Sequence, residues 1–91
     1  MALAAALLIG LTHGAVLGAQ EQVRIFISVD LEGIGGIGTG AMTSTNGKDY
    51  GLSRRLMTAE VNTVVAEIFS RDPEAQIVVN DSHGDHQNVL H

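Results

Sequence analysis

Two short apolar runs flank one long amphipathic stretch, and this pattern limits the fold more than any other feature. The first run, residues 23–29, is rich in β-branched residues and is interrupted only by Arg24 and Ser28. The second run, residues 75–79, is similar. Such runs are typical of strands that are covered on both faces of a parallel sheet. Strand, helix and strand in this order predict an α/β fold built on a βαβ unit with a right-handed crossover.

The stretch between the two runs has helical periodicity. Arg54 and Arg55 fall largely off its apolar face, so we expect them to be solvated or to pair with glutamates of the same helix. Asp49 is the predicted N-cap, and Pro73 ends the helix because it disfavours helical geometry at the preceding residue. The residues that form the predicted apolar stripe are Leu52, Leu56, Val61, Val64, Val65 and Ile68.

Acidic and imidazole side chains follow the two predicted strands. Asp30 and Glu32 come directly after the first strand, and Asp81 and His83 follow the second. Because the carboxyl ends of parallel strands lie at one edge of a sheet, we expect Asp30, Glu32 and His83 to meet there. The two carboxylates would point the same way if the strand extended through both. Asp81 is predicted to organise the following turn through side-chain to backbone hydrogen bonds.

Two carboxylates and an imidazole form a donor set that suits zinc, and also manganese or cobalt. A metal held by three protein ligands keeps a position for water and supports hydrolysis at neutral pH. The two oxygens of Asp30 would also allow it to bridge two metal ions. The alternative interpretation is that Asp30 and Glu32 are ordinary polar residues at a strand end and that His83 caps a turn.

Other motifs allow different chemistry. Residues 33–47 hold six glycines and are predicted to form a long loop, of a length that is usually functional or mobile. Residues 33–38 fit the G-x-G-x-x-G pattern of a phosphate-binding loop, but no helix is expected directly after them, and Glu32 would repel a phosphate. Ser82 beside His83 could serve as nucleophile and base, although no G-x-S-x-G motif is present. His86 and the terminal histidine are predicted to be solvated.

Composition narrows the classes of function and location. The 91 residues carry a net charge of −5 and no cysteine, which argues against a nucleic-acid surface, a disulfide framework and thiolate metal sites. Residues 1–19 are mostly apolar and uncharged, which predicts a signal peptide and a secreted or periplasmic protein. The rival interpretation is an uncleaved anchor, although the apolar run of residues 2–11 is shorter than the ~20 residues of a membrane span. Without a signal peptide, we expect a cytoplasmic protein.

Residues 20–91 are predicted to be the N-terminal part of a larger, mostly parallel α/β domain. Two strands and one helix cannot cover both faces of a sheet, so we expect this region to have poor stability on its own.

Three blocks of this sequence resemble the N-terminal part of the D-aminopeptidases of peptidase family M55. The blocks are residues 28–34, residues 54–62 with Tyr50, and residues 79–84 with Asn88. The resemblance implies a two-zinc exopeptidase that releases N-terminal D-amino acids from short peptides such as D-Ala-D-Ala, and it implies a ring-shaped decamer.

Carried over by motif, the resemblance makes Asp30 the carboxylate that bridges both zinc ions, while Glu32 and His83 complete the first site. The other ligands of the second zinc, a histidine and a glutamate, and a proposed cysteine nucleophile come from later positions in the family. Since these 91 residues do not include them, the catalytic residues are expected beyond residue 91, and the chain alone is expected to be inactive. The competing class is a non-enzymatic α/β binding module whose glycine-rich loop holds a nucleotide or a partner.

Overall fold

The computed structural model describes residues 21–91, and the predicted signal peptide at residues 1–19 lies outside this range. The helices and strands are, in chain order, β1 (Arg24–Val29), a 3₁₀ turn (Leu31–Gly33), α1 (Gly40–Thr43), α2 (Tyr50–Arg71) and β2 (Gln76–Asp81). This order confirms the predicted βαβ unit. The predicted long loop differs in one respect, because it contains the single helical turn of α1.

Strands β1 and β2 pair in parallel, with Arg24 beside Gln76 and Val29 beside Asp81. Both strands therefore end at the same edge of the sheet, which we call the carboxyl edge. The segments that follow them meet at this edge. Among residues 21–91, no helix combines the length and the apolar character that crossing a membrane requires.

The hydrophobic core lies between β1, the segment after it and one side of α2. Ser53, Met57 and Val61 form the buried row of α2, whereas Leu52 and Val64 are exposed. The prediction that Leu52 and Val64 face the core is therefore wrong. A helix buries the row of residues, four positions apart, that faces the neighbouring element. In α2 that row includes a serine, Ser53. The buried core side chains are Val29, Leu31, Ile34, Ile37, Met57 and Val61.

The start of α2 also departs from the prediction. Asp49 occupies the N-cap position, but its side chain makes no capping hydrogen bond. Its backbone has a ψ of 6°, unlike the extended conformation that aims a cap side chain at the first turn. Instead, the Asp49 carbonyl accepts hydrogen bonds from the backbone N–H and the hydroxyl of Ser53.

The sheet face opposite α2 is open in the described part of the chain. Phe26 and Val78 are neighbours across the two strands and are 68% and 59% exposed. This agrees with the expectation that two strands and one long helix cover only one face of the sheet.

Candidate metal site

The two predicted carboxylate ligands stand at the start of the segment that leaves β1. The strand ends at Val29, and Asp30 caps the 3₁₀ turn by accepting a 2.8 Å hydrogen bond from the Leu31 N–H. The strand therefore does not extend through Asp30 and Glu32, and the condition under which strand geometry would align the two carboxylates is not met. The turn itself, anchored by the fully buried Leu31 side chain, keeps both carboxylates at the carboxyl edge.

His83 meets both carboxylates at the carboxyl edge. Its ring Nδ1 lies 2.9 Å from Asp30 Oδ1 and 3.0 Å from Glu32 Oε2. One possible ligand atom from each of the three residues lies within 4.8 Å of the others. The imidazole is 14% exposed, whereas the carboxylates of Asp30 and Glu32 are 54% and 57% exposed. The structure thus brings together all three side chains that the sequence singled out.

The other ring nitrogen of His83 is bound to the last residue of α1. Nε2 donates a 2.7 Å hydrogen bond to the Thr43 carbonyl oxygen, which cannot donate in return. In the neutral ring this leaves the Nδ1 lone pair facing two carboxylates. That arrangement is unfavourable unless a proton or a cation lies between the three groups. A backbone carbonyl on the far nitrogen is also the usual support for a metal-binding histidine. The donor set and its orientation therefore fit a divalent cation.

The surroundings of His83 also raise the pKa of its imidazole. Burial by itself lowers this pKa, because it disfavours the charged ring. The Thr43 carbonyl and the carboxylates of Asp30 and Glu32 outweigh burial and raise the pKa of the imidazole above its ordinary value. The site thus favours positive charge at the position between the three side chains.

Asp81 organises the segment that follows β2, as predicted. Its carboxylate accepts hydrogen bonds from the backbone N–H groups of Asn88, at 2.6 Å, and Val89, at 2.8 Å. Burial raises the pKa of Asp81, but these bonds and the Asn88 side-chain amide outweigh it, so the net pKa is lowered. Asp81 therefore stays ionised and closes the loop that carries His83.

Sequence reasoning missed the role of Arg54. The side chain is half-buried, and its Nε and Nη2 donate to the carbonyl oxygens of Asn88, at 3.1 Å, and Gln87, at 2.9 Å. The prediction that Arg54 is solvated or paired with a helix glutamate is therefore wrong, because the segment after β2 crosses the helix at this point. Thr43 was missed for the same reason. Its contact with His83 depends on the path of the chain, not on any local pattern.

Two competing interpretations lose support. The Ser82 hydroxyl donates to the Val29 carbonyl at 2.8 Å, and the hydrogen bonds of the His83 ring go to other groups. Ser82 and His83 therefore do not form a nucleophile and base pair. Residues 33–38, which fit the phosphate-loop pattern, place Ile34 and Ile37 in the core. They are followed by α1, a single turn, and not by the helix that a dinucleotide loop requires.

A groove opens beside the carboxylate of Glu32. Its volume is about 360 Å³. The residues that line it are Glu32, Ile37, Gly38, Thr39, Gly40 and Thr43. The groove is therefore continuous with the three-residue site through Glu32, and its walls come from the glycine-rich segment.

The chain is similar to known proteins over most of its described length. The model of peptidase family M55, described as D-aminopeptidase, matches residues 23–91. A D-aminopeptidase of Bacillus subtilis (strain 168) is 32% identical over 68 residues, which cover 75% of this chain and 24% of that protein. The chain thus spans about a quarter of the length of this curated relative. No solved structure matches the chain.

Proposed function

The chain belongs to peptidase family M55, the D-aminopeptidases, and we propose that the whole protein is a zinc-dependent aminopeptidase that releases N-terminal D-amino acids from short peptides. Family membership supports a peptidase. It does not favour the competing binding module, because the match covers both the glycine-rich segment and the three-residue site. Zinc and the class of peptide are the further steps of the proposal.

One observation supports zinc above all others. His83 is held with Nε2 bonded to the Thr43 carbonyl, so that Nδ1 faces the carboxylates of Asp30 and Glu32. Calcium and magnesium prefer sites made of oxygen atoms alone, whereas a mixed imidazole and carboxylate set is typical of zinc.

In this proposal Asp30, Glu32 and His83 hold the metal. Zinc bound there would act as a Lewis acid that polarises the carbonyl group of the scissile peptide bond. The Thr43 carbonyl keeps His83 in the tautomer that offers Nδ1. Asp30 uses Oδ1 for its contacts with Leu31 and His83, so these two contacts leave its second oxygen for a further ligand. This second oxygen suits the bridging role that the family resemblance implies for Asp30.

The groove beside Glu32 is our proposed place for the first residue of the substrate. Its volume of about 360 Å³ is near the lower end of the ~300–1,000 Å³ that is usual for small-molecule sites. Two glycines and two threonines line it, so it suits a short peptide with small side chains.

The test measures hydrolysis of D-Ala-D-Ala by the whole protein, before and after treatment with a chelator. We expect the chelator to abolish the activity and added zinc to restore it, with little activity on L-Ala-L-Ala at any stage. Activity that is indifferent to the chelator would rule out the zinc mechanism. Nucleotide retained by metal-free protein would support the binding module instead.

Two further predictions concern assembly and location. A ring-shaped decamer is expected from the family resemblance and is checked by the mass of the whole protein in solution. Secretion or export to the periplasm depends on residues 1–19, and cell fractionation with N-terminal sequencing of the mature protein checks it.

A further inference from the structure

We propose that Asn88 is a positioning residue that holds His83 in place for metal binding. The proposal rests on the zinc function described above. Asn88 is fully buried, although it lies in an irregular segment only five residues after His83. A fully buried asparagine is unusual unless all of its polar groups are hydrogen-bonded, so the partners of Asn88 show what the residue holds in place.

The side-chain amide of Asn88 is completely used. Its NH₂ group donates to the His83 carbonyl at 2.5 Å and to Asp81 Oδ1 at 2.9 Å, and its oxygen accepts from the Tyr50 hydroxyl. The orientation of the amide follows from its neighbours, because a carbonyl and a carboxylate can only accept. The hydrogen bond to the His83 carbonyl closes the loop that carries the imidazole.

The backbone of Asn88 is also fixed at both ends. Its N–H donates to Asp81 at the end of β2, and its carbonyl oxygen accepts from Arg54 of α2. Arg54 lies over the ring of Tyr50, with 5.9 Å between its guanidinium carbon and the ring centre. Asn88 is therefore anchored to β2 and α2, and its hydrogen bond to the His83 carbonyl fixes the His83 backbone relative to them.

Two hydrogen bonds of His83 then determine where Nδ1 points: one is accepted by its carbonyl oxygen, and the other is donated by its ring Nε2. Asn88 holds the main chain of His83, and the Thr43 carbonyl holds the far side of its ring. If the Asn88 amide is lost, the His83 carbonyl keeps only the hydrogen bond from the His86 N–H, at 3.0 Å, which lies within the same turn. The backbone of His83 is then held less firmly to the rest of the fold. Nδ1 would then leave the position in which it shares a cation with Asp30 and Glu32.

The experiment compares two variants with a matched control in the whole protein. Asn88→Ala removes the bond to His83, and Asn88→Asp keeps the shape of the side chain but sets a carboxylate against the His83 carbonyl. Tyr50→Phe is the control, since it removes a bond from the same asparagine and leaves the donors to His83 in place. The measurements are zinc affinity by competition with a chromophoric chelator, the absorption spectrum of cobalt(II)-substituted protein, and the thermal midpoint of the metal-free protein.

We expect both Asn88 variants to bind zinc about 10–100-fold more weakly, as is typical for partners of metal ligands, and to show an altered cobalt spectrum. Tyr50→Phe should lower the thermal midpoint while it leaves zinc affinity and the spectrum unchanged. The proposal is overturned if zinc affinity merely follows the thermal midpoint across all three variants, or if neither Asn88 variant folds. If the unmodified protein binds no zinc, the proposed function fails first. If it binds zinc and the Asn88 variants bind it equally well, only the role of Asn88 fails.

Discussion

The segment after β1 and the segment after β2 meet at the carboxyl edge, but different interactions hold them to the protein. In residues 30–47, the groups that lie in the core are apolar: Leu31, Ile34 and Ile37. In residues 82–90, the fully buried anchor is Asn88, which is tied to Asp81 and Arg54 by hydrogen bonds. The first segment is thus held by burial of apolar surface, which has no direction, and the second by bonds with strict geometry.

This difference matches what each segment delivers. A carboxylate offers two oxygens that can each serve as a ligand, so Asp30 and Glu32 can reach a cation from an exposed position. An imidazole offers one lone pair in one plane, and the wrong tautomer offers none on that side. His83 therefore needs a fixed backbone and a partner for its other nitrogen, while the carboxylates need only to be near.

The largest effect is expected when a proposed ligand is removed. His83→Ala or Asp30→Ala should weaken zinc binding by more than ~100-fold, the upper end of the loss expected for residues that only support a metal ligand, because a donor atom itself is lost. Zinc content after dialysis and zinc affinity measure this. The control is His86→Asn in the same loop, since asparagine tolerates the φ of 61° found at His86. Full zinc content in His83→Ala would show that the imidazole is not a ligand.

The apolar anchor of the first segment gives the next largest effect. Leu31→Ala should lower the free energy of unfolding of the metal-free whole protein by about 2–5 kcal/mol, since a fully buried leucine leaves a cavity. Urea unfolding measures this. The exposed Leu52 provides the control, and Leu52→Ala should change stability by no more than about 0.5 kcal/mol. Equal losses for both leucines would contradict the role of Leu31 as the apolar anchor of the first segment.

The contact between α1 and the start of α2 offers a smaller test of the first segment. A Cβ at Gly47 would overlap the backbone of Ala41, so Gly47→Ala should cost about 1–3 kcal/mol of stability. Because Thr43 belongs to the displaced helix, zinc affinity should fall as well. Gly33→Ala is the control, as a Cβ there meets no atom within 4 Å. A Gly47 variant with unchanged stability and affinity would show that α1 does not support His83.

The smallest expected effect concerns the groove. Gly38→Val should raise the KM for D-Ala-D-Ala about tenfold, because the valine side chain would take up space in the groove. This factor is near the lower end of the discrimination that one methylene group causes in a pocket. Zinc content should stay the same, because Gly38 supplies no ligand atom to the three-residue site. Gly35→Val, outside the groove lining, serves as the control. If both variants leave KM unchanged, the substrate does not occupy this groove.

Much of the fold could be predicted because its signals are local. Runs of β-branched residues mark β1 and β2, helical spacing marks α2, and the βαβ rule then implies parallel pairing. The buried side of α2 was less predictable. Its apolar residues spread over more than one face, so Leu52 and Val64 looked equivalent to Val61 until the position of the sheet was known.

Pattern and spacing in the chain are enough to say which chemical groups stand at the ends of the strands, because strand boundaries and residue types are both local properties. The fold alone shows that Thr43 and Asn88 hold His83 from opposite sides, and that Arg54 turns from the solvent to the loop. Each of these contacts joins positions far apart in sequence or depends on the exact course of an irregular segment. No periodicity encodes them, since a directional hydrogen bond needs both partners already in place.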